Sequence, residues 1–199
     1  MPNLPNKAIG IRPATPEDAD FIVWGLATAL HIEGDFSPTN PIMREIILRE
    51  DTLYSWKNAH IAYHAETRTP IGLLIAYDGA RYAIMRQITM PLLQTAFHTD
   101  YNDMDDEAEA GEFYIDSLAV LSEMRHQGIG TRLLQYAIQT AREAHFPAAT
   151  LAVHPQNAPA LALYSRVGFR PAREYFIFGE NYYKYTIQLN EQNGTLLDA

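Results

Sequence analysis

The chain has 199 residues, 47% of them hydrophobic and 20% charged, enough apolar material for a sizeable core and no mark of a disordered or fibrous chain. Fifteen Lys and Arg stand against 24 Asp and Glu, a formal net charge of −9, so the basic face that nucleic acid or acidic lipid requires is missing. There is no cysteine, which excludes a disulfide scaffold, a thiolate metal site, a cysteine nucleophile and a thiol redox switch.

Met1 to Lys7 carries no apolar run of the secretory type, and the most apolar stretch, Phe21 to Leu30, is far short of the roughly 20 residues that cross a bilayer. The expectation is a soluble, cytoplasmic protein with no nucleic-acid, membrane or metal partner. Ile9 to Arg12 reads as an opening strand. Thr15 as N-cap, Pro16 at the first helical position and the acids Glu17 and Asp18 predict a helix start, with Ile22, Leu26, Ala29 and Leu30 as its apolar stripe. Gly34 and Ser37-Pro38 end it, and a second helix is predicted over Pro41 to Glu50. Ala59 to Glu66 and Ile71 to Tyr77 read as strands joined by the turn Thr67-Arg68-Thr69-Pro70. A helix follows from Arg81 to about Phe97, which Pro91 is expected to kink or split. The acids Asp100, Asp103, Asp105, Asp106, Glu107 and Glu109 then crowd into an insertion spanning about 79–111. Such a run reads either as a solvated loop or as an acidic lid that draws in a cationic acceptor.

The second half is more regular. A strand is predicted over Glu112 to Val120, then a turn and a long helix from about Gly128 to Ala144, with Ile129, Leu133, Leu134, Ala137, Ile138 and Ala141 at helical spacing. Ala149 to Val153 reads as a buried strand and Ala158 to Val167 as a shorter helix. Arg173 to Phe178 and Tyr182 to Leu189 close the chain as a hairpin around Gly179-Glu180-Asn181, and 191–199 reads as a loose tail after a single domain over 1–190. Helices interleaved with strands in this order imply an α/β protein whose mixed sheet is covered on both faces.

The most specific feature is the turn Arg125-His126-Gln127-Gly128-Ile129-Gly130-Thr131 between an apolar strand and an amphipathic helix. Two glycines permit close approach and unusual dihedrals, and the unpaired N–H groups of the first helical turn attract an anion. Arg125 and Arg132 add positive charge where it is scarce, since no Lys or Arg lies between Arg86 and Arg125. A Walker loop needs Gly-Lys-Ser/Thr where this chain has Gly130-Thr131-Arg132, and a dinucleotide fingerprint needs a third glycine where this chain has Leu133.

Arg-x-x-Gly-x-Gly after Ile115-Asp116-Ser117-Leu118-Ala119-Val120, followed by Asn157-Ala158-Pro159-Ala160-Leu161-Ala162-Leu163-Tyr164 and Gly168-Phe169, resembles the GNAT superfamily of acetyl-CoA-dependent N-acetyltransferases. The resemblance implies a mixed, mostly antiparallel central sheet of about six to seven strands with helices on both faces, and homodimerisation as an expectation. It implies that the pantetheine arm of acetyl-CoA lies along Leu118, Ala119 and Val120, and that Arg125, His126, Gln127, Gly128, Ile129, Gly130 and Thr131 cradle the pyrophosphate. Asn157 would bond the pantetheine, Ala160 would leave it room, and Tyr164 would touch it as well as act as general acid.

An amine with a pKa near 10 must lose a proton before attacking a thioester, so a base is needed. Asp116 is the first choice and Glu112 the second, since Glu112, Tyr114 and Asp116 share one strand face. Asp116 could equally bind a cationic substrate or bond a neighbouring backbone group. Trp24, Tyr114, Asp116 and His154 are the candidate contacts to the acceptor, a small-molecule amine or a peptide. Two further readings stay open: a non-catalytic acyl-CoA-binding module, and transfer of an acyl group other than acetyl.

Overall fold

The computed structural model describes residues 9–30, 36–37, 40–100 and 103–189. The tail expected at 191–199 and the helix-ending residues Gly34 and Pro38 lie outside them.

Seven strands form one sheet: β1 (Ile9–Pro13), β2 (Ala59–His64), β3 (Pro70–Asp78), β4 (Glu112–Val120), β5 (Ala148–Val153), β6 (Arg170–Ile177) and β7 (Glu180–Gln188). Their order is β1-β2-β3-β4-β5-β7-β6, with β4 and β5 parallel and every other pair antiparallel. The helices are α1 (Ala19–Ala29), α2 (Pro41–Leu48), α3 (Tyr82–Phe97), α4 (Ile129–Glu143) and α5 (Ala158–Val167). Ile22, Val23 and Leu26 of α1, Met43, Ile46 and Ile47 of α2 and Met85 and Leu93 of α3 join one hydrophobic core. Ile129, Leu133, Leu134 and Ala137 of α4 join the other, with Leu161 and Leu163 of α5 packed against it. Among the described residues, no helix is long and apolar enough to cross a membrane.

Local chemistry sets most of the boundaries. Arg12 grips the Asp18 carboxylate with two bonds of 2.7 Å, and Asp18 accepts the Thr15 N–H at 2.8 Å, so α1 begins through a 3-10 turn over Pro16–Asp18. Asn40 and Asn157 cap α2 and α5 with their side-chain oxygens. Gly168, at φ 116°, ends α5 in the left-handed conformation. The β6–β7 turn falls on Phe178 and Gly179, both at positive φ, one residue earlier than predicted, because a two-residue loop of this kind matches the twist of its strands.

Pro91 does not split α3. The helix runs unbroken over Tyr82–Phe97, losing one N–H bond while Tyr82, Met85, Thr89 and Leu93 stay buried. The acidic segment after it is anchored to the fold at several points, while Asp103, Asp105, Asp106 and Glu109 stay exposed. Met104 and Ala108 enter the first core. Asp105 exchanges bonds with Phe176 of β6, its N–H donating at 2.9 Å and its carboxylate accepting at 2.7 Å. Arg86 of α3 faces Asp106 at 3.4 Å, Arg173 faces Glu109 at 3.4 Å, and Glu107 is only 7% exposed. Charge count alone suggested solvation; specific partners on α3, β6 and β7 hold the segment down.

Gly79 lets that segment close. A Cβ there would stand 2.2 Å from the Glu109 carbonyl oxygen, a backbone atom that cannot swing aside. Gly79→Ala should cost about 1–3 kcal/mol and lower the melting temperature by ~5 °C. A melt within a degree of the parent would show that the acidic segment is loosely held.

Candidate active site

The sheet opens in the middle. β4 and β5 pair from Glu112↔Ala148 to Ile115↔Leu151 and no further, although β4 runs on to Val120 and β5 to Val153. At that point β4 also carries a bulge: Ile75 pairs with Ser117 and Ala76 with Ile115, so Asp116 is the extra residue. Beyond it β4 stays paired with β3 on one side only. The other side faces a cleft of about 490 Å³.

The cleft has two ends of opposite character. At one, the turn after β4 leads into α4, with Arg125, His126, Gly128, Gly130, Thr131 and Arg166 in its wall. Gly128 is at φ 79° and nothing lies within 4 Å of where its Cβ would be, so conformation rather than space demands glycine there. Gly130 differs: a Cβ would meet Leu163 at 3.2 Å, so this glycine lets α4 and α5 pack closely. At the other end, Asp116, His154 and Tyr182 line the wall together with Thr28 and Ala29 of α1. Four strand residues, ~13 Å, separate Asp116 from Val120. Leu118, Ala119, Val120, Asn157, Ala160 and Tyr164 lie between the ends.

Electrostatics differ along it too. Asp116 accepts from Tyr77 at 2.6 Å and from Ser117 at 2.9 Å, and burial raises its proton affinity above the ordinary aspartate range despite those donors. Burial pushes the Tyr164 phenol up to about 12, so it keeps its proton at neutral pH. His154 has both ring nitrogens engaged: Nδ1 accepts from the Gln156 N–H at 3.2 Å and Nε2 faces Glu180 at 3.1 Å. Among the described residues, no three His, Asp or Glu side chains gather as a metal site.

Residues 35–169 match the sequence model of the acetyltransferase (GNAT) family. The chain belongs to the GNAT family. Over 74 residues it is 36% identical to the N-alpha-acetyltransferase of Sulfurisphaera tokodaii, a match covering 35% of this chain and 44% of that protein, so less than half of the relative's length is spanned. The N-acetyltransferase from Staphylococcus aureus Mu50 has the same fold, with a TM-score of 0.69 at 20% identity over 89% of this chain and 100% of that one. So does the NatC complex bound to Gag peptide and CoA, with a TM-score of 0.58 at 19% identity over 92% and 99%.

Five candidates from the sequence stand away from this GNAT cleft. The Glu112 carboxylate pairs with Lys184, which is 3% exposed, and accepts from Thr150 at 3.2 Å. Tyr114 is fully buried, and Trp24 packs on Phe21 with ring centroids 4.7 Å apart. Gln127 turns back to donate to the Glu123 carbonyl at 3.3 Å. Arg132 donates to the Ile9 carbonyl at 2.9 Å, so its guanidinium is directed to β1. Each is held by a partner distant in sequence or by a neighbour that competes for it.

Sequence reasoning missed Tyr77, Arg166 and the burial of Glu107. For Glu107 one signal existed, the apolar Met104 and Ala108 inside the acidic run. Glu107 accepts from Tyr114 at 2.6 Å, and burial followed by the nearby Asp116 charge holds its proton well above the usual carboxylate range. An unfolded glutamate loses its proton near pH 4.3, whereas the folded one keeps it to higher pH. Between those points the folded chain binds more protons, so stability falls as pH rises. Glu107→Gln should flatten that fall by more than ~1 kcal/mol between about pH 5 and about pH 8, read by denaturant melts across the range. Parallel slopes for parent and variant would show that Glu107 titrates normally.

Proposed function

We propose that this chain is an N-acetyltransferase that moves the acetyl group of acetyl-CoA to a primary amine, within a single domain over 1–190. The observation that carries the reading is the open edge of β4 from Asp116 to Val120, set between the α4 N-terminus and Tyr164. Backbone N–H and C=O groups on such an edge need partners, and an extended ligand with amide groups supplies them as an added strand does. Acetyl-CoA has that shape in its pantetheine arm, ends in a diphosphate, and supplies an acetyl thioester activated toward amines.

The groups along the cleft suit those parts. N–H groups from Gly128 to Thr131, with Arg125 and Arg166, take the diphosphate. Leu118 and Val120 offer backbone bonds to the arm, whose acetyl end is directed toward Asp116, and Asn157 and Ala160 border the arm from α5. Asp116, which opens onto the cleft, takes the proton that the amine sheds. Tyr164 keeps its hydroxyl proton at neutral pH and so holds it ready for the departing sulfur. His154 and Tyr182 border the place from which the amine approaches. The names of two related proteins, an N-alpha-acetyltransferase and a complex bound to a peptide, favour the α-amine of a peptide or protein as acceptor.

Acetyl-CoA at 100 times its Kd should stabilise the parent by about 2.7 kcal/mol, a shift of several degrees. In Gly128→Val the shift should vanish relative to that variant's own ligand-free melt, because valine resists positive φ. No shift in the parent at millimolar acetyl-CoA would remove the reading. Tyr164→Phe should bind acetyl-CoA as the parent does yet turn over ~10²-fold more slowly or worse. Unchanged turnover would strip Tyr164 of its role.

A further inference from the structure

Beneath the Asp116 end of the cleft sits a second carboxyl group that the transfer reaction does not use. Glu107 is carried in under α3 by the acidic segment, and the Tyr175 hydroxyl holds it there by donating to its backbone carbonyl. Its side chain accepts from Tyr114 at 2.6 Å and from Tyr82 at 3.5 Å. Asp116 accepts from Tyr77 at 2.6 Å. The rings of Tyr77 and Tyr114 have centroids 5.8 Å apart. Two carboxyls are thus tethered to the hydroxyls of two neighbouring tyrosines, one facing the cleft and one facing the core.

Among the described residues no ion pair includes Glu107 or Asp116. Arg86 of α3 is close enough to favour the Glu107 carboxylate, but it is directed to Asp106 at 3.4 Å and to the Met104 carbonyl at 2.9 Å. Lys184 of β7 is directed to Glu112 and to Glu109 at 3.6 Å. The remaining groups facing Glu107 are phenols: Tyr82 from α3, Tyr77 and Tyr114 from the sheet, Tyr175 from β6 and Tyr182 from β7. Two carboxylates in such surroundings repel each other with little solvent to screen them, so the first charge opposes the second. Asp116, which opens onto the cleft and holds two donors, ionises first. Glu107, enclosed in the core, keeps the proton.

We propose that Glu107 is the positioning partner of Asp116: the two carboxyls share one proton across the Tyr77–Tyr114 contact, and the proton affinity of Asp116 depends on the charge of Glu107. In the proposed acetyl transfer, on which the consequence for catalysis rests, Asp116 takes the amine's proton, the pair passes from one proton to two, and one proton returns to solvent through the cleft. Only O–H bonds form and break within the pair.

Carboxyl-carbon NMR of the ligand-free protein, labelled at its Asp and Glu side chains, tests the sharing without reference to activity. The parent should show two linked steps, the upper one far above the ordinary glutamate range. Asp116→Asn should move the upper step down by about one unit or more, because the charge that opposed it is gone. Asp116→Ala, a truncation at the cleft wall, repeats the test where the amide disturbs the bulge. Glu107→Gln should abolish the upper step and leave the lower one in place. An upper step unmoved in both Asp116 variants would overturn the proposal. With an acceptor amine, the parent's kcat–pH profile should carry a second inflection that Glu107→Gln loses at unchanged KM for acetyl-CoA. A variant profile identical to the parent's would overturn the link to Asp116 reactivity. Linked titrations with no turnover on any amine would instead remove the acetyltransferase reading and leave the shared proton standing.

Discussion

The structure turns on a ladder that stops early. β4 holds β5 for four residue pairs and then parts from it, while its bonds to β3 continue to Gly72↔Val120. An interior strand with one side unpaired is costly, since each buried backbone group without a partner forfeits a bond it had in water. Re-pairing is blocked on both sides of the gap. The bulge at Asp116 turns β4 out of line, and the close seat of Gly130 on Leu163 holds α4 and α5 together along the cleft. The open edge is therefore part of the fold, and the cleft and its two ends follow from it.

What could be read from the sequence was what short stretches of chain decide for themselves. The stripe from Ile129 to Ala141 specifies a buried face within a few residues and recurs in the structure as read, and the shorter helix read over Ala158 to Val167 recurs with the same bounds. The glycine turn was found for the same reason, although its two glycines do different work: Gly128 supplies a backbone conformation and Gly130 supplies helix contact. Cross-strand partners were not readable. Tyr77 meets Asp116 only once the β3–β4 register and its bulge are known, and Glu112 is drawn to Lys184 through β5 lying between their strands. Pro91 failed as a helix breaker because buried side chains before and after it hold α3 in place, an instance of tertiary packing overriding local preference.

Charge placement settles how an acidic protein can hold a polyanion. A net charge of −9 repels phosphate at long range, but the acids nearest the sheet are occupied. Asp105 bonds the β6 backbone, Asp106 faces Arg86, and Glu109 faces Arg173 and Lys184. Arg125 and Arg166 lie instead in the cleft wall beside the α4 N-terminus. Oriented N–H groups and two guanidinium groups outweigh a diffuse, salt-screened surface field at contact distance. The same cleft has a carboxylate, Asp116, in its wall. In the proposed transfer one surface would sort the anionic and cationic ends of the reaction by position.

Among the described residues no cation pairs with that carboxylate, which suits the proposed chemistry. A lysine or arginine against Asp116 would pin it as a stable anion of low proton affinity, unable to compete for the proton of an amine. Lys184, buried on β7, is directed to Glu112 and Glu109 instead. In place of a cation, Asp116 has a tyrosine hydroxyl and a serine hydroxyl, which hold its orientation and stabilise its charge more weakly than an ion pair does. The charge of Asp116 in turn raises the proton affinity of Glu107, the second carboxyl buried under the same tyrosines. That burial is tolerable because Glu107 stays protonated while Asp116 is charged. On the proposed sharing of a proton, the acidic segment that brings Glu107 there is tied to the cleft through that one buried carboxyl.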